Sequence, residues 1–126
     1  MYRRNTDAAQ RFAARRQRED EADRLLTVVP QLTDLVLQVE ERRAETLLAE
    51  ACYTRRIVVA IAPAVFVIPC GDTSCKEGGH DVTDAVLRGL RNGSRTFEGH
   101  DACRGSIGST ECQRQLRWIA QAEYRK

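Results

Sequence analysis

Apolar residues fall on alternate positions from Leu116 to Tyr124 (Leu116, Trp118, Ala120, Ala122, Tyr124), with Arg117, Gln121 and Glu123 between them and Ile119 as the exception. A two-residue period predicts a strand with one face on a core and the other in water. The same alternation in "LVLQVEE", with Leu35, Leu37 and Val39 on one side, predicts a strand over residues 35–42, although Leu32, Val36, Val39 and Leu47 also fit a helical face. "AETLLAEAC" after it reads as a short helical or irregular connection. "RRIVVAIAPAVFVIPC" is the densest run of β-branched residues. Two strands on either side of Pro63, one ending in 64–69, are therefore expected to form the centre of the core.

The period changes after the Gly-containing "CKEGG". Val82, Val86, Leu87 and Leu90 share one face of a helix over about 82–92, with Asp81 placed to cap its first turn and Asn92-Gly93 to stop it. "SRTFEG" predicts a short strand over 94–98, and the Gly and Ser of "GHDACRGSIGSTEC" predict a loop. At the other end, "DAAQRFAARRQREDEADRLL" contains neither Gly nor Pro and favours helix, but its large apolar residues make a thin stripe, and Pro30 closes it. The expectation is an α+β fold: a mainly antiparallel sheet with one packed central helix, over residues 31–126, preceded by an N-terminal helical extension over 1–30.

Length fits this division, because 126 residues support one modest core. An apolar fraction of 42% with 30% charged residues is that of an ordered globular chain, and a net charge of +2 gives no polybasic footprint over the whole molecule. Charge is uneven locally. Arg3, Arg4, Arg11, Arg15, Arg16 and Arg18 face the single acid Asp7 before "REDEAD" reverses the sign. The longest apolar run, Ile57 to Cys70, is too short to span a bilayer and is interrupted by Pro63, and no secretory leader is evident. A cytoplasmic protein without membrane contact is expected, in surroundings that favour metal-bound or reactive thiols over disulfides.

Five cysteines then become the main chemistry of the chain. Cys52 reads as a small buried hydrophobe. Cys70, Cys75, Cys103 and Cys112 lie at strand ends or among Gly and Ser, where backbone can wrap closely around a small object. As zinc ligands they would form the set Cys70, Cys75, Cys103 and Cys112, or Cys70, Cys75 and Cys103 with His100 as the alternate ligand and Cys112 free. Either set requires the chain to return to the first pair after the helix, which a strand 94–98 lying beside strand 64–69 would achieve. His80 is a third candidate, placed where it could instead support the helix cap. The arrangement over 70–112 is broadly similar to zinc-ribbon and treble-clef modules, with wider spacings than theirs, and no functional residue follows from that likeness. Disulfides between these cysteines, free thiols, and a nucleophilic cysteine near His100 with Asp101 as orienter are the competing readings.

Walker, Rossmann and HExxH patterns are absent. The expectation is thus a small non-catalytic binding or regulatory module with a structural zinc ion. Its contacts with nucleic acid or a partner protein are assigned to Arg11, Arg15, Arg16 and Arg18 on the first helix and to Arg88, Arg91 and Arg95. Leu25, Leu26, Val28 and Val29 would supply apolar docking contacts, and exposed strand edges a route to homo-oligomers. The alternatives are a cysteine-dependent enzyme and a metal-free interaction domain.

Overall fold

A computed structural model of the chain describes residues 2–43, 49–72, 74–76 and 78–125, with the side chains of 2–8 and of Arg11 outside the described residues. Four strands form one antiparallel sheet: β1 (Leu32–Arg42), β2 (Ala51–Ile57), β5 (Thr96–Ala102) and β8 (Gln115–Tyr124), in the order β2-β1-β8-β5. Two short pairs complete the strands, β3 (Val67–Ile68) with β4 (His80–Asp81) and β6 (Ser106–Ile107) with β7 (Thr110–Glu111). The helices are α1 (Tyr2–Glu21), α2 (Leu25–Val28) and α3 (Thr83–Arg91). Among the described residues, no helix is long and apolar enough to cross a membrane.

The two alternating segments are the central strands, paired from Leu32 opposite Tyr124 to Arg42 opposite Gln115. Leu35, Leu37 and Val39 of β1 are buried together with Leu116, Trp118, Ala120 and Ala122 of β8, so the alternation places one residue set in the core and leaves Gln38, Glu40, Arg117 and Gln121 in water. Phe97 of β5 meets Trp118 edge-on, with ring centroids 5.8 Å apart. Over this face lie Val82, Val86 and Leu90 of the α3 segment together with Ala64, Phe66 and Ile68. Leu25 and Val29 are buried in the same core, so they are not available as the docking contacts expected of them.

Three expectations are corrected here. The segment richest in β-branched residues does not form central strands: β2 is an edge, and 58–66 wraps over the core without regular pairing apart from an isolated bridge between Arg24 and Pro63. Within it Ala64 and Phe66 are buried without a ladder, because burial needs none, while Val58 and Ile61 are exposed. Second, β5 pairs with β8, not with the 64–69 region. Third, Cys52 is exposed on the outward face of edge strand β2, opposite Glu40. Residues 44–48 of the expected connection lie outside the described residues, and its end belongs to β2.

Candidate metal centre

At one end of the sheet the inner face turns polar. Glu41 and Asp101 occupy the same inward-facing row as Ala51 and Leu116, where Leu35, Leu37 and Val39 would lead one to expect another apolar layer. Both carboxylates are used. Asp101 Oδ2 accepts from His80 Nδ1 at 2.8 Å, and Glu41 Oε2 accepts from Arg114 Nε at 2.6 Å and from Gly71 N–H at 3.0 Å. Arg114 also donates from Nη1 to Glu50 Oε2 at 2.8 Å. These bonds hold the loop after β3 and the segment before β8 against the sheet, and the loops carry the cysteines.

The sulfurs of Cys70, Cys75, Cys103 and Cys112 all lie within 4.8 Å of one another, a cluster able to hold a metal ion. Cys70 Sγ is 3.7 Å from Cys112 Sγ, and Cys75 Sγ is 3.6 Å from Cys103 Sγ. No disulfide links them. Cys75 and Cys103 are buried and the other two half-buried. The loops converge through backbone bonds: Lys76 N–H donates to Ser106 O at 2.7 Å, Ser106 N–H to Lys76 O at 2.9 Å, and Cys112 N–H to Gly105 O at 2.8 Å. The β6–β7 hairpin therefore carries Cys112 back toward Cys103.

Close approach explains the glycines. A Cβ at Gly78 would lie 2.2 Å from Cys75 Sγ and 2.6 Å from Cys103 Sγ, and one at Gly105 would lie 2.4 Å from Cys75 Sγ. Side chains at these positions would occupy the space of the ligand sulfurs.

The thiol environments differ. Burial pushes the Cys70 thiol up to about 12 and raises that of Cys75 as well. Burial also acts to raise Cys103, but the N–H groups of Gly105 and Gly79 outweigh it and bring that thiol below its ordinary value; Gly79 N lies 3.4 Å from the sulfur. Four thiolates this close would repel one another strongly without a cation between them. This donor set accordingly suits a metal that accepts thiolate ligands.

The alternate ligand His100 lies elsewhere. It sits on the exposed outer face of β5 opposite Arg117, and lines a small groove with Glu40, Arg42 and Gln115. Cys103 Sγ, by contrast, is buried beside Cys75 and Gly79. Asp101 is engaged by His80, so the geometry does not assemble a Cys103–His100–Asp101 relay. His80 is fully buried, and its Nε2 has no hydrogen-bond partner among the described residues. The N–H of Thr83 is satisfied by Asp81 Oδ1 at 3.1 Å.

The arginines assigned to partner contacts divide between two surfaces. Arg15 and Arg16 lie over the Phe12 ring, with guanidinium carbons 5.5 and 5.9 Å from its centroid, and both line a groove between α1 and the Tyr53–Arg55 edge of β2. Arg18 is ion-paired with Asp81. Arg91 and Arg95 line a different groove, beside the end of β8, and Arg88 is exposed on α3.

Glu41 and Arg114 were not evident as site residues from motif or spacing. A signal existed in the alternation itself, because Glu41 continues the Leu35, Leu37, Val39 series and Arg114 precedes Leu116 and Trp118 at the same two-residue step. Comparisons of the chain with protein-family models, with curated proteins and with solved structures found no match.

Proposed function

We propose that this protein is a non-catalytic binding module whose two cysteine loops are held by one structural zinc ion. The observation that carries the reading is the sulfur cluster. Four sulfurs about 2.3 Å from a tetrahedral zinc stand about 3.8 Å apart along each edge; two of the six pairs here are 3.6 and 3.7 Å apart, and all lie within 4.8 Å. Four cysteines complete a tetrahedral zinc shell without leaving a position for water or substrate, which is the arrangement of structural sites. The ion would supply charge compensation and a cross-link between the loops, and Gly71 and Gly79 N–H groups would hold the surrounding backbone.

The binding surface is assigned to α1. Its groove combines the half-exposed Phe12 and Tyr53 with Arg15, Arg16 and Arg55, and with the acids Glu19 and Asp20. Mixed charge around apolar rings suits a protein partner better than a phosphate backbone, which the acids would repel. Nucleic acid is the second reading, supported by arginines beside an exposed ring.

Elemental analysis of protein purified under reducing conditions, with thiol titration before and after chelation, tests the metal. One zinc per chain, with chelation exposing the cluster thiols, is the expected result; metal-free protein with freely titrating thiols would end the zinc reading. Salt dependence of partner binding separates the two surfaces, since phosphate contacts weaken steeply with salt and an apolar dock does not.

A further inference from the structure

A second groove lies at the opposite end of β8 from the cysteine loops, among the end of α2, the end of α3 and the β8 terminus. It has a volume of about 490 Å³, within the range of about 300–1,000 Å³ typical of ligand-sized pockets. Its apolar part includes Val28, Pro30 and the partly exposed Tyr124 ring, and its charged part is Arg91, Arg95 and Arg125. Among the described residues, no acidic one lines it. This distinguishes it from the α1 groove, which contains Glu19 and Asp20, and from the groove at His100, which contains Glu40 and Glu41.

An ordinary structural role explains part of this charge. Arg88 and Arg91 occupy the last turn of α3, where cations favourably oppose the helix dipole. Arg95 and Arg125 are outside that helix, so its dipole does not account for their convergence on the same groove. Their backbone is also fixed. Arg125 N–H donates to Gln31 O at 2.7 Å, Ala122 N–H donates to Arg95 O at 2.8 Å, and the Tyr124 hydroxyl donates to Ser94 O at 2.7 Å. A left-handed Gly93, with φ 72°, turns the chain from α3 toward Arg95. The walls are formed before any ligand arrives, which limits the ordering cost of binding.

We propose that this groove binds an acidic peptide segment in which aspartate or glutamate flanks a large aliphatic or aromatic residue. The apolar residue would lie along Val28, Pro30 and Tyr124, and the carboxylates would meet the guanidiniums of Arg91, Arg95 and Arg125, where planar forks match carboxylate geometry. The groove takes one side of its ligand from each chemistry, so a peptide with both is favoured over a bare polyanion. The inference rests on the reading of the protein as a binding module and specifies a partner chemistry for a surface remote from the cysteines.

The test is selection from a displayed library of random dodecapeptides on the immobilised full chain, followed by affinity measurement with the enriched peptide. Enrichment of acidic sequences around an aliphatic or aromatic residue is expected, with amide shift changes at Val28, Tyr124 and Arg95. The Arg95→Glu/Arg125→Glu variant should weaken binding by about tenfold or more, with an unchanged circular dichroism melt and metal content. Failure to enrich acidic sequences, undiminished binding to a correctly folded variant, or shifts confined to the α1 groove would overturn the proposal. So would a single-stranded oligonucleotide that binds this groove and is lost in the variant when acidic peptides do not bind. Metal content is read separately, so loss of the zinc reading and loss of this one give different results.

Discussion

Glu41 ties the cysteine loops to the sheet, because its buried carboxylate receives both the Arg114 guanidinium and the Gly71 N–H beside Cys70. Its side chain is 2% exposed and that of Arg114 10%, and the pairing with Glu41 pushes the Arg114 pKa up. Removing Glu41 would leave the buried Arg114 guanidinium with only the half-exposed Glu50, among the described residues, as counter-charge. Glu41→Ala should therefore cost up to about 3–5 kcal/mol, the value for a buried charge left with no partner, measured by chemical denaturation. The double variant Glu41→Leu/Arg114→Met should cost markedly less than Glu41→Ala, since no buried charge is left unpaired and the half-exposed Glu50 keeps Arg43. Equal losses would show that the ion pair contributes through something other than charge compensation. A second residue-scale prediction concerns Gly78. Gly78→Ala should lower metal content or metal affinity, because its Cβ would stand 2.2 Å from Cys75 Sγ; retention of wild-type affinity under competition with a chelator would contradict the close packing.

Among the elements, α1 is tied to the corner between β4 and α3 by the Arg18–Asp81 ion pair. Burial would raise the Asp81 carboxyl, but the Thr83 N–H and hydroxyl and the Arg18 guanidinium outweigh it and hold the group below the usual aspartate range. The sign follows from proton linkage: the unfolded carboxylate binds a proton more readily than the folded one. The stabilisation is present above the ordinary aspartate pKa of about 3.9 and is lost as pH falls through the lowered folded value. In Arg18→Ala, carbon-detected NMR titration should show the Asp81 midpoint moving up toward the ordinary value. The difference in melting temperature between wild type and variant should also shrink on acidification through that window. An unmoved midpoint would mean that α1 does not rest on this corner in solution.

At the scale of the molecule, two systems of cohesion lie side by side. One is the apolar layer between the sheet and α3, which includes Trp118, Phe66, Leu37 and Leu90 and contains no metal ligand. The other is the cysteine cluster with its loops, where the β3–β4 and β6–β7 pairs are only two residues per strand. Such short ladders gain little stability of their own. Chelation should therefore remove hydrogen-exchange protection from 70–79 and 103–112 while β1 and β8 remain protected. Loss of protection throughout would show that the metal holds the whole fold together.

Local pattern carried a good deal of this architecture. The alternation in 35–41 and 116–124 identified the inward-facing residues of the two central strands, and the α+β class with an antiparallel sheet followed from it. Pattern also singled out the cysteines as the chemistry of the chain, because their type and glycine-containing surroundings are local properties. Pairing is not local. Nothing in "RRIVVAIAPAVFVIPC" states which of its apolar side chains will enter a ladder, cover the core or face water: Ile57 and Ile68 are buried in short or edge strands, Phe66 is buried outside one, and Val58 and Ile61 are exposed. Likewise Glu41 meets Arg114 and Cys70 meets Cys112 across long stretches of sequence only because β1, β8 and the loops beside them come together in space. Side-chain period determines which face of a strand is apolar; the tertiary packing of distant segments determines what that face meets.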